Sequence, residues 1–273
     1  MNARRMAATA AIAVAGLTLA ACGGGNDGAA GSGDSIKIGI KFDQPGLGQQ
    51  DAGKYSGFDV DVANYVAKAL GKTKVTFIQA PSKQREDLIS TGQVDLIFAT
   101  YSITDERKQK VSFAGPYFIA GQDLLVKSDS DITGPEDLDG KKLCSVTGST
   151  SAQKVKDAYP GVQLQNFDGY SKCLDLIVGG QLDALTTDNT ILAGYAAQPA
   201  YKGKLKVIGK TFSEERYGVG LKKGDVDLCK KVNDALAKMV SDGSWQKAVD
   251  ANFGPAGFTV DKATNPPKTD ACS

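Results

Sequence analysis

The chain carries strand and helix patterns that alternate in two series, and this alternation constrains the fold more than any other feature. In the first series, Ser35 to Lys41 (SIKIGIK) alternates apolar and polar residues with the period of a strand. A helix pattern over Asp59 to Leu70, a strand at Lys74 to Gln79, a short helix at Gln84 to Thr91 and a buried strand at Val94 to Ala99 follow. Such alternation is typical of parallel sheets covered by helices, so we predict an α/β lobe.

The second series follows a linker and predicts a second α/β lobe. It is expected to contain strands at Lys142 to Thr147, Gln163 to Phe167, Ala184 to Thr187 and Leu205 to Ile208, and helices at Ala152 to Ala158 and Ser171 to Val178. A predicted strand at Gly121 to Lys127 leaves the first lobe, and one at Tyr217 to Lys222 returns to it. We therefore expect a hinged molecule with a cleft, in which residues 34–124 and 214–273 form lobe 1 and residues 125–213 form lobe 2.

The N-terminal residues are predicted to lie outside the fold. Arg4 and Arg5 precede an Ala-rich apolar stretch, as in a secretory signal that is too short for a dependable membrane span. The sequence Leu19-Ala20-Ala21-Cys22 resembles the lipobox of bacterial lipoproteins. This resemblance implies a signal peptide over residues 1–21, a lipid on Cys22 and a location on the outer face of the cell membrane. A plain export signal is the alternative. Residues 22–33 read as a flexible tether.

Composition narrows the function classes. The chain has 32 basic and 31 acidic residues among 273, a net charge of +1, so we expect no nucleic-acid partner. It contains no histidine, which excludes Ser-His-Asp and Cys-His catalysis as well as His-based metal sites. We expect neither a metal nor a cofactor.

Four cysteines follow Cys22 in the chain: Cys144, Cys173, Cys229 and Cys272. An even number in an exported protein favours disulfides, and four cysteines allow three connectivities. We favour Cys144–Cys173 and Cys229–Cys272, because each pair then stays within one predicted lobe. Free buried thiols are the alternative.

Polar residues follow the buried strand at Val94 to Ala99. Thr100, Ser102 and Thr104 lie at its carboxyl end, where open α/β sheets bind their ligands. Arg107 follows with a planar, permanently charged group suited to a carboxylate. The alternative is an ordinary solvated loop in which Arg107 pairs with an adjacent carboxylate, Asp105 or Glu106.

Four motifs, in this order and spacing, resemble those of type II solute-binding proteins of ABC importers, in the polar amino-acid group (family 3). They are GFDVDVA from Gly57, GQVD from Gly92, SITDER from Ser102 and SFAGPY from Ser112. The stretch IKIGIKFDQPGLG is further similar to actinobacterial glutamate-binding lipoproteins. The resemblance implies the two-lobed type II periplasmic-binding-protein fold, also called a Venus-flytrap.

The resemblance also implies roles for individual residues at the amino-acid head. Arg107 and Ser102 match the pair that binds the ligand's α-carboxylate, and the backbone at Thr100 would lie near the α-ammonium. In the second lobe, Ser149 and Thr150 match a turn that supplies further donors at a helix start. Simple N-capping by Ser149 or Ser151 is compatible with both interpretations.

Asp188 matches the family's acceptor for the α-ammonium. The alternative for this residue is an N-cap of the following helix.

The ligand's side chain would be selected elsewhere in the cleft. Lys41 follows the first strand, and Arg85 opens a helix with Ser82 three residues before it, a spacing also found in binders of acidic amino acids. The alternative is that Lys41 and Arg85 are surface charges, with Arg85 paired to its neighbour Glu86 or Asp87. Tyr101 departs from the smaller or aliphatic residue common in the family, which puts the side-chain selectivity in question.

The resulting expectation is a monomeric, lipid-anchored receptor, not an enzyme, that delivers L-glutamate to an ABC permease driven by a cytoplasmic ATPase. A receptor for glutamine or aspartate is the alternative within binding proteins. An exported dehydratase on the same fold is the rival of another class, and a sensor subunit is the third possibility.

Overall fold

The computed structural model describes residues 33–272. The predicted signal peptide and lipid site at Cys22 lie outside the described residues, as does all of the tether except residue 33. Within residues 33–272, two five-stranded sheets and one three-stranded sheet pack with eight α-helices. None of the helices in this part of the chain has the length and apolar character needed to cross a bilayer.

The strands are, in chain order, β1 (Ser35–Ile40), β2 (Asp43–Gln44), β3 (Gly48–Asp51), β4 (Lys54–Ser56), β5 (Lys74–Gln79), β6 (Leu96–Phe98), β7 (Ser112–Ala120), β8 (Gln122–Lys127), β9 (Lys142–Val146), β10 (Gln163–Phe167), β11 (Ala184–Asp188), β12 (Leu205–Val207) and β13 (Glu215–Leu221). The helices are α1 (Phe58–Ala69), α2 (Arg85–Ser90), α3 (Asp105–Lys108), α4 (Thr150–Ala158), α5 (Ser171–Val178), α6 (Asn189–Ala196), α7 (Val226–Ser241) and α8 (Ser244–Phe253). Short 3₁₀ turns span Ser82–Gln84, Pro135–Leu138 and Gly254–Ala256.

The two large sheets share one topology. The first has the order β5-β1-β6-β13-β7 and the second the order β10-β9-β11-β8-β12. Each is parallel except for one strand, β13 in the first sheet and β8 in the second. The predicted α/β fold is confirmed, and the crossings between the sheets explain the two antiparallel strands. Strand β7 ends at the carboxyl edge of the first sheet, and the chain leaves that sheet there. Strand β8 begins at the carboxyl edge of the second sheet, so it must run opposite to the parallel strands that end at that edge.

The first crossing takes place at Gly121, between β7 and β8. All of β8 pairs within the second sheet, so the expected boundary after residue 124 would cut through a continuous strand. A Cβ on Gly121 would lie 2.7 Å from Cβ of Thr211 and 2.9 Å from the carbonyl oxygen of Ser213. The two crossing segments therefore run side by side here, and only glycine lets them approach this closely.

An aromatic cluster anchors the first sheet to its helices. The ring of Phe58, at the start of α1, lies 5.9 Å from Trp245 and 5.1 Å from Phe253 in α8. The indole N–H of Trp245 donates to the carbonyl oxygen of Tyr117 at 2.9 Å. The Tyr117 hydroxyl donates to Asp59, which also accepts the backbone N–H of Thr100 after β6, so this cluster supports the end of that strand.

Two strand regions were not predicted from the sequence. The small sheet β2-β3-β4 occupies a segment to which no strand was assigned, since its short polar strands show no apolar alternation. Strand β7 contains Pro116, which ordinarily argues against a strand. It lies at the edge of its sheet, where the missing N–H does not interrupt a ladder on the open side.

Both disulfides have the expected pairing. Cys144 in β9 is bonded to Cys173 in α5, with 6.0 Å between their Cα atoms. Cys229 in α7 is bonded to Cys272 in the C-terminal segment, with 5.9 Å between Cα atoms. Neither bond joins an element of the first sheet's side to one of the second.

Candidate functional site

A small cavity lies where the connections of the two large sheets meet. It is lined by Ser82, Arg85, Thr100, Ser102, Arg107, Ser149, Thr150, Ser151, Tyr170, Asp188 and Ile191. This set contains every predicted ligand-binding residue except Lys41. Residues far apart in sequence, from the first sheet's connections and from the second's, therefore converge on one place.

Arg107 is nearly buried, with 9% of its surface exposed. Thr104 caps its short helix, α3, by accepting the backbone N–H of Arg107 at 3.2 Å. The guanidinium donates to the carbonyl oxygen of Ser102 at 2.8 Å and, across the cavity, to that of Gly148 at 3.0 Å. Its Nε lies 3.7 Å from Oε1 of Glu86. Arg107 is thus held by backbone acceptors and Glu86, and not by its sequence neighbours.

Arg85 is buried beside it, at 2% exposure. It donates to the carbonyl oxygen of Ala99 at 3.0 Å and to that of Gly148 at 3.4 Å. Burial and the nearby charge of Arg107 lower the pKa of Arg85 to about 10. The surface-charge alternative does not describe this residue, because its guanidinium faces the cavity.

Tyr101 lies beneath both guanidinium groups. Its ring centroid is 4.2 Å from Cζ of Arg85 and 5.0 Å from Cζ of Arg107, distances at which cations interact with an aromatic face. Its hydroxyl donates to Glu86 at 2.7 Å. The ring is buried and does not line the cavity, so its departure from the family pattern concerns the support of the arginines.

Thr100 has an unusual backbone conformation that Asp59 supports. Its φ is +46°, a left-handed value that is strained for a β-branched residue. The carboxylate of Asp59 accepts the Thr100 N–H at 2.9 Å and the Tyr117 hydroxyl at 2.7 Å. Burial raises the pKa of Asp59 to about 6. The motif residue Asp59 therefore holds the strand-end turn in place from beneath the cavity.

Lys41 lies behind the cavity wall. Its Nζ donates to the Ser82 hydroxyl at 2.8 Å, and both residues are buried. Burial, followed by repulsion from Arg85, lowers the pKa of Lys41 well below its usual value. Ser82 lines the cavity and Lys41 does not, so Lys41 acts on the cavity through Ser82.

The second sheet contributes the turn between β9 and α4. Ser149 caps α4 by accepting the N–H of Ala152 at 3.1 Å, which confirms the capping interpretation. The Thr150 hydroxyl donates to Glu215 at 3.0 Å and accepts from Gln122 at 3.2 Å. These side-chain hydroxyls have protein partners, while the N-terminus of α4 still points its dipole towards the cavity.

Asp188 ends β11 and precedes α6. It occupies the N-cap position, yet no side-chain capping bond forms there. Its carboxylate instead accepts the hydroxyl of Tyr217 at 2.7 Å. Burial, and then the charge of Glu215, raise the pKa of Asp188 to about 8. The cavity therefore contains two guanidinium groups and one carboxyl group, Asp188, whose ionised form has few compensating contacts.

Three lining residues were not predicted: Ser151, Tyr170 and Ile191. Tyr170 directly precedes α5, and Ile191 lies in the first turn of α6. The position of both residues at a helix start that follows a strand is the sequence feature that could have indicated them. Among residues 33–272, no group of three or more His, Cys, Asp or Glu side chains is arranged to hold a metal ion.

Comparisons with known proteins show the family to which the chain belongs. The chain is 47% identical over 272 residues to the glutamate-binding protein GluB of Corynebacterium glutamicum, covering 93% of this chain and 92% of that protein. It is 40% identical to the glutamine-binding protein GlnH of Bacillus subtilis, covering 78% and 79%. A solved structure of an ancestral arginine-binding protein bound to arginine matches with a TM-score of 0.76 at 38% identity, covering 81% of this chain and 99% of that one. Residues 36–255 match the model of the bacterial extracellular solute-binding proteins, family 3, and the chain belongs to that family.

Proposed function

We propose that the protein is a receptor for an acidic amino acid, with L-glutamate as its preferred ligand. The observation that carries this proposal is the charge of the cavity, in which Arg85 and Arg107 face a single carboxyl group, Asp188. Glutamate has two carboxylates and one ammonium, so this set matches its charges one by one. A buried charge without a partner is costly, which makes such a match a strong basis for selectivity.

In this proposal Arg107 and Ser102 bind the α-carboxylate, and Asp188 with the backbone at Thr100 binds the α-ammonium. Arg85 and Ser82 bind the γ-carboxylate, with Lys41 supporting Ser82. Ser149 and Thr150 place the start of α4 beside the ligand, and the backbone N–H groups at this helix start add donors from the second sheet. Ligand that contacts both sides stabilises a closed arrangement, since its affinity for that arrangement is higher. Glutamine is the second candidate, because GlnH is also a relative.

Calorimetric titration of residues 33–273, a single compact unit, against the twenty amino acids tests the ligand. The protein must first be unfolded and refolded to remove ligand carried through purification. Tight binding of glutamate with much weaker binding of glutamine supports the proposal. Stronger binding of glutamine or of a neutral amino acid would reject the role of Arg85 and keep the receptor function.

The family is extracellular, and we propose that this member is exported and then anchored through a lipid on Cys22. Two or more acyl chains hold a protein stably at a membrane, whereas one chain does not. The receptor would act as a monomer and pass its ligand to permease subunits driven by a cytoplasmic ATPase. Replacing Cys22 by Ala should release the protein from the membrane fraction into the medium. Retention of the variant would argue against the anchor.

We further propose that the protein has no catalytic role. Asp188 has the raised pKa of a general acid, and in our assignment it ionises as it pairs with the ligand's ammonium. Glutamate recovered unchanged after prolonged incubation with the protein would support binding alone. Formation of a product that is absent with the Asp188→Asn variant would instead favour an enzyme.

A further inference from the structure

A groove of about 550 Å³ opens directly from the ligand cavity. Its lining includes Ser82, Arg107, Ser149 and Thr150, four residues that also line the cavity. The other residues of the groove come from the segments around α2 and α3 on one side and from those around α4 and in β10 on the other. The groove is therefore continuous with the site and bounded by both halves of the molecule.

The charges of this groove are unbalanced. Five cations line it, Lys83, Arg107, Lys110, Lys154 and Lys156, against two carboxylates, Glu86 and Glu106. The protein as a whole has a net charge of only +1, so the excess is a local property.

Some of these groups already have partners. Lys154 lies 2.6 Å from the buried carboxylate of Glu215, and Arg107 is close to Glu86. Within residues 33–272, no ion pair involves Lys83, Lys110 or Lys156, and all three side chains are exposed. We refer to these three residues as the groove lysines. Among the described lining residues, Glu106 is the one carboxylate that is not paired with Arg107. The three groove lysines outweigh its charge and produce a positive electrostatic field at the mouth of the cavity.

We propose that the groove is an encounter site for anionic amino acids, in which the groove lysines attract the ligand before it enters the cavity. The inference rests on the proposed glutamate function. Clefts lined by one sign of charge focus the field and raise the local concentration of an oppositely charged ligand. The effect acts on association, extends over about 8 Å at physiological ionic strength and weakens with salt. Glutamate, with a net charge of −1, gains from it, whereas zwitterionic glutamine does not.

Stopped-flow measurement of ligand association with residues 33–273 tests this inference. The test variant is K83Q/K110Q/K156Q, and the control is K68Q/K230Q/K247Q, which removes three exposed lysines from α1, α7 and α8. Both triples change the net charge equally. None of the six residues belongs to the binding machinery, and melting temperatures of both variants verify that the fold is intact.

For the parent protein, the association rate constant of glutamate should fall about tenfold as salt rises from low to high concentration, as expected for steered association. In the groove variant it should be lower by several-fold at low salt and nearly independent of salt, with an unchanged dissociation rate. The control should behave like the parent, and glutamine should associate equally fast with all three proteins.

Equal rates for the parent and the groove variant, or equal losses in the two triples, would overturn the encounter site. Parent protein that binds glutamate tightly at a rate independent of salt would overturn this inference and leave the proposed function intact. Parent protein that does not bind glutamate at equilibrium would overturn both.

Discussion

The guanidinium group of Arg107 donates a 3.0 Å hydrogen bond to the carbonyl oxygen of Gly148, which lies in the turn between β9 and α4. Arg85 reaches the same oxygen at 3.4 Å. A neutral carbonyl is thus the shared acceptor for two buried cations that come from the opposite side of the cavity. Hydrogen bonds to a carboxylate are roughly twice as strong as neutral ones, so a ligand carboxylate would compete effectively for both groups.

Replacing Arg107 by Ala should abolish the binding of every amino acid. The variant leaves a carboxylate without its cation in a buried site, a loss of about 3–5 kcal/mol that corresponds to at least a hundredfold weaker binding. Arg107→Lys should recover only part of the affinity, since lysine lacks the planar fork. Calorimetry with glutamate and with glutamine measures both effects. An Arg107→Ala variant that binds either ligand normally would contradict the assignment.

Replacing Arg85 by Gln should weaken glutamate binding much more than glutamine binding. The side chain also donates to the carbonyl of Ala99, so some loss of stability will affect both ligands. The informative quantity is therefore the ratio of the two dissociation constants, in which a shared structural loss cancels. We expect this ratio to change by about tenfold or more, the value of one charged hydrogen bond. An unchanged ratio would remove Arg85 from the side-chain pocket.

The affinity for amino acids should rise with pH up to about 8. In the unliganded protein the pKa of Asp188 is about 8, and the ligand's ammonium favours the ionised form, so binding below this pH releases a proton. Each pH unit below 8 should then cost up to about tenfold in affinity. Titrations at neutral pH in buffers of different ionisation enthalpy should report proton release, and Asp188→Asn should bind weakly without it.

The same pKa makes the opposite prediction for stability. Because folding raises the pKa of Asp188, the folded protein binds more protons than the unfolded chain between about pH 4 and 8. This contribution to the free energy of unfolding is therefore full at low pH and is lost as pH rises towards 8. Denaturant titrations at several pH values give the free energy of unfolding of the parent and of Asp188→Asn. This free energy should change with pH differently in the two proteins between about pH 4 and 8, and parallel pH dependences would contradict the raised pKa.

Replacing Gly148 by Ala should weaken the binding of all amino acids alike. A Cβ at this position would lie 2.8 Å from Cα of Lys83 and 2.9 Å from its backbone nitrogen, on the other side of the cavity. The φ of Gly148 is +81°, so alanine also adds backbone strain. Gly180→Ala is the matched control, because Gly180 has a φ of +75° and no atom within 4 Å of its added Cβ.

We expect about a tenfold or greater loss of affinity for Gly148→Ala, as for overpacking of a close contact, and little change for Gly180→Ala. Small-angle scattering with saturating ligand should show a larger radius of gyration for the first variant. Equal losses in both variants would mean that backbone strain alone is responsible.

Much of the cavity could be predicted because its residues lie at strand ends. Ser102, Arg107 and Asp188 each follow or end a buried strand, and parallel strands bring their carboxyl ends to one edge. The buried strand at Val94 to Ala99 therefore indicated Ser102 and Arg107, whereas Asp188 was predicted from the family resemblance. Lys41 also follows a strand, but it does not line the cavity and contacts the lining residue Ser82 instead. A strand end fixes where the backbone lies and not where the side chain ends.

Other parts of the site have no signal in the local sequence. The carbonyl of Gly148 is a backbone group, and its role depends on how the two halves face each other. Glu215 and Lys154 are 61 residues apart, and their ion pair forms because β13 begins beside α4. The small sheet β2-β3-β4 is equally hidden, because its strands are held by hydrogen bonds between polar segments rather than by a buried face.

The positions of the two disulfides have a consequence for how such a receptor withstands the extracellular medium. A cross-link reduces the entropy of the unfolded chain, and each of these bonds closes a loop within one half of the molecule. Oxidation can therefore reinforce the two halves separately, while no disulfide between described residues links one half to the other. The disulfides therefore stabilise each half against unfolding without adding a restraint between the halves.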